Sequence, residues 1–538
     1  MSDLFVIDSR GGADDVAGPE LVGAKAHGLM RLARLGLPVP PGFVLGTGLC
    51  AAVVAGSAAA DRALRETLTA GIRWLEQATG AGFGSRRRPL LVSVRSGGAV
   101  SMPGMMETIL DVGLTPVSRQ GLIRATGNPR LAWDADRRLV QGFATTVHAC
   151  PAEPFEQRMR QITVTAGGET AAPDSMALAQ LAEQYRALFH SLTGAPFPAD
   201  PMEQLVQAAA AVFRSSQSAK AAEYRRLQNI AQPPVTAVTV QAMVFGNAGG
   251  TSGAGVGFTR DPTTGENRLY LDFLFNAQGE DVVSGRRVGS DVARLPHVLP
   301  AVWAELERVR RCLETSFGDL QDFEFTVQEG RLFLLQTRPG KRTPWAAVQV
   351  AVDLVHDGII DRAQALQRLA SLDLDQVERC VADADKTQSV PLARAIAAGA
   401  GVAVGHAAFD VDRARALAAS GVPVILVRQH TVTEDVAGFA IADGILTATG
   451  SQTSHAAVVA RQLGKVCLVG CSGLRVDSAS RQAVLEGTVL HEGDALSLDG
   501  LSGQVYAGCL RVRRERPDAA LAEIARWRAE AAWSMSPS

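Results

Sequence analysis

Aromatic residues make up only 5% of the 538-residue chain, too few for the stacking platforms that single-stranded nucleic acid or sugar polymers require. Neither sign of charge is in surplus: 53 Lys+Arg face 55 Asp+Glu, a formal net charge of −2. Without a broad cationic field, nucleic acid and anionic membrane surfaces have no electrostatic claim on the chain. The seven cysteines are scattered, and only Cys467 and Cys471 lie close together, with no second pair or neighbouring His to complete a zinc pattern. Buried thiols in a reducing compartment are the expectation. The start MSDLFVIDSRGG carries Asp3 and Asp8 and no basic segment, unlike a secretory leader. The uncharged run between Arg34 and Asp61 is interrupted by Pro38, Pro40 and Pro41, so it reads as loop, strand and helix instead of a membrane span. A cytoplasmic protein of two to four domains is expected.

What is present is a mixed α/β pattern. RPLLVSVRSGG (88–98) reads as a buried strand, and AVTVQAMVFG (237–246), GVGFTRDPTTGE (255–266) and RLYLDFLF (268–275) read as neighbouring strands with turns. A polar, Ala/Gln-rich helical stretch lies between them, and EFTVQEGRLFLLQTR (324–338) reads as a hairpin turning at Glu329-Gly330. Residues 347–369 carry apolar spacings of three and four, the mark of a helical pair. A Gly/Val-rich α/β unit follows from about 390 to 512, then an amphipathic helix to Trp533.

Four segments carry chemistry. GAKAHGLMRLARLGLPVPPGF (23–43) places Lys25 after a glycine turn, and VSVRSGGAVSMPGMMET (92–108) places Arg95 and Ser96 at a strand end. Glycine-exposed backbone N–H groups with a fixed cation suit polyphosphate, although neither segment fits the P-loop spacing. In QDFEFTVQEGRLFLLQTRPGKR (321–342), Asp322 and Glu324 alternate on one strand, and Gln336 and Arg338 on its partner. Period-two spacing sends these to one face, where two carboxylates and an amide oxygen suit Mg²⁺ and the arginine suits phosphate. In ADGILTATGSQTSHAAVVARQLGK (442–465) a strand runs through a turn into a helix capped by Thr453 or Ser454. His455 falls in the first helical turn, where backbone N–H groups and the helix dipole favour an anion. A neutral imidazole there can attack phosphorus, with hydroxyl and N–H donors holding the product.

Together with GNPRLAWDADRRLVQGF and FNAQGEDVVSG, these stretches occur in the order found in the pyruvate phosphate dikinase family, which the sequence resembles from about residue 20 to 512; the phosphoenolpyruvate synthases are cousins. The resemblance implies an ATP-grasp-like nucleotide-binding domain over 1–345 with a helical insertion at about 115–230. It implies a helical linker at 346–390, a swivelling phosphohistidine β/β/α domain at 391–512 and a helical tail at 513–538. Lys25, Arg95, Asp322, Glu324, Gln336 and Arg338 correspond to ATP- and Mg²⁺-binding positions, with Asp322, Glu324 and Gln336 as metal ligands. Arg138 matches a phosphate-contacting arginine, Glu280 and Asp281 a nucleotide-site motif, and His455 the histidine that ATP pyrophosphorylates before it becomes phosphohistidine. Thr453 and Ser454 stand beside it. MPGMMET favours the dikinase branch, which uses phosphate, over the synthase branch, which uses water.

The chain departs from the family at one turn and at its end. Where the family reads T-A-R-G-G-M-T-S-H, this chain has Thr449 and Ser451 in place of the arginine and the second glycine. No stretch matches the family's C-terminal (β/α)₈ barrel, which holds pyruvate or phosphoenolpyruvate. The expectation is therefore an ATP-to-AMP phosphotransferase component whose acceptor, pyruvate or a phenol or alcohol, is bound by a partner subunit. The alternative is a nucleotide-binding relay or regulatory protein without turnover.

Overall fold

The computed structural model describes residues 4–9, 16–98, 108–165, 173–218, 235–283, 291–383, 390–431, 435–452, 454–478 and 480–534. Most of the Gly/Pro/Met loop, Met102 to Glu107, and Thr453 lie outside the described residues. By its internal contacts the chain divides into two compact units, Met1–Ala248 with Phe333–Thr337 and Gly249–Leu332 with Arg338–Ser538.

The first unit is built on a five-stranded antiparallel sheet in the order Leu4–Ile7, Gly42–Leu45, Thr236–Ala242, Val92–Gly98, Thr108–Val112. Its apolar side chains, among them Phe43, Leu45, Val94 and Val240, join Leu64, Leu139, Phe143 and Phe213 from the helices in one core. Local chemistry sets where those helices start. Thr115, Asn128 and Asp200 each accept an N–H from the first turn, and a proline follows each of them. The described part of the expected insertion is helical, with Pro116–Thr126, Pro129–Val147, Glu153–Thr165, Ser175–Thr193 and Pro201–Ser215 in succession.

A four-stranded sheet runs in the order Arg331–Pro339, Gln321–Gln328, Gly253–Phe258, Tyr270–Phe275, its last three strands in the second unit and Phe333–Thr337 of its first assigned to the first unit. This corrects one sequence expectation. The 237–246 stretch is not a neighbour of the two strands after it: Thr236–Ala242 lies in the first unit's sheet, paired with residues 42–45 and 92–98. The Gly-rich residues from 246 to 252 carry the chain out of one sheet and into the other. The hairpin turns as expected, with Glu329 at φ 50° and Gly330 at φ 76°, the paired left-handed conformations a two-residue turn requires.

The helical pair is Pro344–His356 and Arg362–Leu369, and with the terminal helix Asp518–Ser534 it forms a core around Val348, Val352, Leu369, Ile524 and Trp527. Arg260, fully buried, ties the helix Pro300–Phe317 to the end of Pro344–His356 through ion pairs with Glu314, Asp353 and Asp357 at 2.9, 3.1 and 3.0 Å. Strand Arg379–Ala382 pairs antiparallel with Val512–Glu515, so the chain enters and leaves the following α/β body side by side.

That body is an eight-stranded sheet. Val402–Ala408, Val424–Arg428, Gly444–Thr447 and Val466–Val469 run parallel at its centre, joined by the helices Val411–Ala419, Val436–Ile441 and His455–Gln462. The expectation of buried thiols needs a second correction. Cys50, Cys467 and Cys471 are buried, but Cys150, Cys312 and Cys380 are half-buried and Cys509 is exposed. Among the described residues no helix is long and apolar enough to cross a membrane.

Candidate active site

In the first unit, the helix Pro19–Arg34 is broken at Gly23, whose φ of 77° and ψ of 156° suit glycine alone. The kink presses backbone on backbone: a Cβ on Gly23 would sit 2.1 Å from the Gly97 carbonyl oxygen. Lys25, two residues on, is thereby fixed beside the Arg95 strand, whose Arg95 Nη1 donates to the Leu335 carbonyl at 3.1 Å. Arg138 belongs to a buried cluster on the helix Pro129–Val147. Asp134 accepts from Arg138 Nε at 3.0 Å, from Arg137 at 2.5 Å and from Asn247 Nδ2 at 2.8 Å. Burial alone would raise the Asp134 pKa, but the Arg137, Arg138 and Arg130 charges outweigh it and hold the carboxyl well below the usual range. Arg137 and Arg138 thus share the Asp134 carboxylate, and the Arg130 charge also acts on it.

In the second unit, Asp322 and Arg338 meet across the hairpin, Arg338 Nε donating to Asp322 Oδ2 at 2.8 Å. Burial pushes Asp322 up, the nearby Glu324 carboxylate adds to this, and Arg338 pulls the other way. Two buried-side carboxylates sharing one strand face, one of them lifted by burial, are a site that a divalent cation would relieve. The donors are all oxygen, which fits Mg²⁺. Among the described residues no three His, Cys, Asp or Glu gather around one point, so Asp322 and Glu324 need further oxygen donors from outside that class. Gln336, buried, is two residues from Arg338 on the same strand. Glu280 and Asp281 lie in the short helix Gly279–Val283, where Asp281 Oδ2 accepts the Gln278 N–H at 2.9 Å.

The His455 helix follows the carboxyl end of the parallel strand Gly444–Thr447, the position where open α/β sheets bind ligands. His455 is its first residue and Ser454 its N-cap by position, yet the Ser454 hydroxyl makes no cap hydrogen bond. That hydroxyl is buried without a hydrogen-bond partner among the described residues, so its donor is uncommitted at the helix start. Gly450, at φ 118°, turns the chain so closely that a Cβ would come within 3.3 Å of Ser454 Oγ. Thr449, which stands where the family has arginine, is tied instead to the Gln429 carbonyl, its Oγ1 donating at 3.2 Å.

The structure thus brings Asp322, Glu324 and Arg338 together on one hairpin. It sets Lys25 and Arg95 on abutting segments and Ser454 against His455 in one turn. One residue the sequence reading passed over is Arg461, on the His455 helix and only 1% exposed. Its signal was in plain view: a lone cation inside the apolar run HAAVVARQLG.

Two family models match the chain. Residues 57–298 and 292–357 match the pyruvate phosphate dikinase AMP/ATP-binding domain, and 421–503 match the mobile domain of PEP-utilising enzymes. A nucleotide-binding part joined to a mobile domain defines the class. The chain is 44% identical to pyruvate, phosphate dikinase 2 of Zea mays over 498 residues, covering 91% of this chain and 56% of that protein. It is 40% identical to pyruvate, phosphate dikinase of Clostridium symbiosum over 514 residues (94% and 58%), and 39% identical to that of Rhizobium meliloti over 532 (96% and 59%). The chain belongs to the pyruvate phosphate dikinase family, and spans a little over half the length of these relatives.

Proposed function

We propose that this chain carries the ATP half-reaction of a dikinase. His455 attacks the β-phosphorus of ATP, a nitrogen–phosphorus bond forms as the bond to the α-phosphate oxygen breaks, and AMP leaves. Phosphate, the co-substrate favoured by MPGMMET, or water then takes the terminal phosphoryl group, leaving phosphohistidine. The nucleotide-binding part is read as ATP-grasp-like. Lys25, Arg95 and Arg338 neutralise the phosphates, and Arg138 contacts the phosphate co-substrate. Asp322, Glu324 and Gln336 would hold Mg²⁺, which supplies counter-charge to the transferring phosphates. Glu280 and Asp281 border the nucleotide, and Thr453 and Ser454 donate to the phosphoryl group on His455.

The observation that carries this reading is the His455 turn: a first-turn histidine at a parallel strand's carboxyl end, beside the uncommitted Ser454 hydroxyl. Its phosphoryl group would pass to an oxygen acceptor bound by a partner subunit. The names of the relatives make pyruvate the first to test, then phenols and alcohols. Intact-mass spectrometry with Mg·ATP, with and without phosphate, tests the proposal. A pyrophosphoryl adduct that phosphate converts to a phosphoryl adduct is expected, and His455→Ala abolishes both. No adduct, or an adduct that survives His455→Ala, refutes it.

A further inference from the structure

Arg461 is almost wholly buried but only partly satisfied. Its Nη1 donates to the Gln452 carbonyl at 2.9 Å and, at 3.3 Å, to that of Ala398. Nε and Nη2 are buried with no hydrogen-bond partner among the described residues. A guanidinium has five donors and is charged at every working pH, so leaving two nitrogens unfilled in the interior is unfavourable unless something else uses the charge. The two carbonyls locate it. Gln452 belongs to the turn that precedes His455, and Ala398 to the edge strand Ile396–Gly399.

On its other side, the guanidinium carbon lies 5.3 Å from the centroid of the Phe258 ring, which ends a strand of the Asp322 sheet. Its charge also acts on Asp322 and on the Tyr270 hydroxyl. A second contact runs alongside: Tyr270 Oη donates to the Ala397 carbonyl at 3.3 Å. Both sides of this seam lie within the second compact unit.

We propose that Arg461 is a positioning residue for the ATP half-reaction: it grips the turn before His455 through the Gln452 carbonyl and seats that turn on the Asp322 sheet through Phe258, with Tyr270 as a second fastening. The role rests on the reading of His455 as the phosphoryl carrier, and gives Arg461 a task at one station only. Transfer from ATP needs the seat; loading of the same histidine by a small donor in solution does not.

The full chain and its Arg461→Gln and Tyr270→Phe variants are labelled with Mg·ATP and, separately, with phosphoramidate, a small phosphoryl donor. Arg461→Gln is expected to slow ATP-driven labelling at least tenfold and to leave phosphoramidate-driven labelling within twofold. Tyr270→Phe, which deletes one hydroxyl that makes no contact with the Gln452 carbonyl, is expected to slow only the ATP-driven rate, by two- to fivefold. It decides the matter if Arg461→Gln fails to fold. Equal loss with both donors would confine Arg461 to the turn and overturn the proposal, as would no loss with ATP. Hydrogen exchange over Ile396–Gly399, measured without nucleotide, should rise in both variants, and unchanged exchange overturns the seat whatever the labelling does. A wild-type chain that ATP does not label fails the dikinase reading, and the exchange result still decides the seat.

Discussion

Replacing Gly23 by alanine adds one methyl group where two backbones already touch. The new Cβ would meet the Gly97 carbonyl oxygen at 2.1 Å, its carbon at 2.5 Å and its Cα at 3.0 Å, all main-chain atoms that cannot rotate away. To restore an ordinary 3.4 Å separation, the helix and the Arg95 strand must part by about 1.3 Å. Overpacking of this kind costs about 1–3 kcal/mol. Holding alanine at the Gly23 backbone angles adds about 1–3 kcal/mol of strain. The expected loss is therefore about 2–6 kcal/mol, read as a fall in urea unfolding free energy. Lys25 rides on the displaced segment, and a shift of about 1 Å in a positioning group costs on the order of a hundredfold in rate. ATP-driven labelling of His455 should fall accordingly. Gly36→Ala is the control, because Gly36 also has a positive φ, 68°, but nothing within 4 Å of its Cβ. It carries the strain without the clash. If Gly23→Ala proves no more harmful than Gly36→Ala in stability and labelling, the backbone contact does not position Lys25.

Arg260→Met leaves Glu314 buried without its cation and should destabilise the second unit by about 3–5 kcal/mol, measured by urea unfolding. Asp134→Asn should destabilise the first unit by a similar amount at neutral pH, since Arg137 and Arg138 lose their counter-charge. Because the folded Asp134 pKa is depressed, its contribution is present above the unfolded carboxylate value of about 3.9 and is lost as pH falls toward the depressed one. The gap between wild type and Asp134→Asn should thus be constant from pH 5 to 7 and close below about pH 4, and a gap that persists in acid refutes the assignment. Chelating Mg²⁺ should stop ATP-driven labelling. At limiting Mg²⁺ the labelling should weaken on acidification at a higher pH than an ordinary carboxylate would give, because burial pushes Asp322 up, and saturating Mg²⁺ should restore it.

Legibility followed the range of the interactions. The hairpin could be read because Glu329-Gly330 and the alternation of Asp322, Glu324, Gln336 and Arg338 are local, and the structure pairs Asp322 with Arg338. Helix starts at Thr115-Pro116, Asn128-Pro129 and Asp200-Pro201 rest on signals as local, although the sequence was read there only as a helical stretch. The sheet that takes Thr236–Ala242 was not legible, because its partners lie at residues 42–45 and 92–98, far back in the sequence. A β-rich run states that it is a strand and not whose neighbour it is. Ser454 was readable as a helix start, but not as a hydroxyl that declines to cap. Arg461 stood out as a lone cation in an apolar run, but its task did not: the groups it grips are the carbonyls of Gln452 and Ala398, which carry no side-chain signature.

The buried arginines divide by how far their charge is answered, and that division sorts structural from functional roles better than burial does. Arg260 is fully buried and faces three carboxylates, so its donors are spoken for and its charge has no reach beyond the network. An arginine so surrounded ties helices together and offers nothing to a ligand. Around Asp134 one carboxylate is shared by Arg137 and Arg138, an intermediate case. Arg461 is the third case: no carboxylate within ion-pair distance among the described residues, two neutral carbonyls on one nitrogen and two nitrogens unfilled. Such a group is unfavourable as a mere brace, because a Leu or Met of similar volume would pack there without the desolvation of a charge. Its presence on the helix that begins at His455 follows if the charge is needed only while that helix sits against the Asp322 sheet. A cation left partly unanswered in the interior then marks a contact with a task beyond bracing.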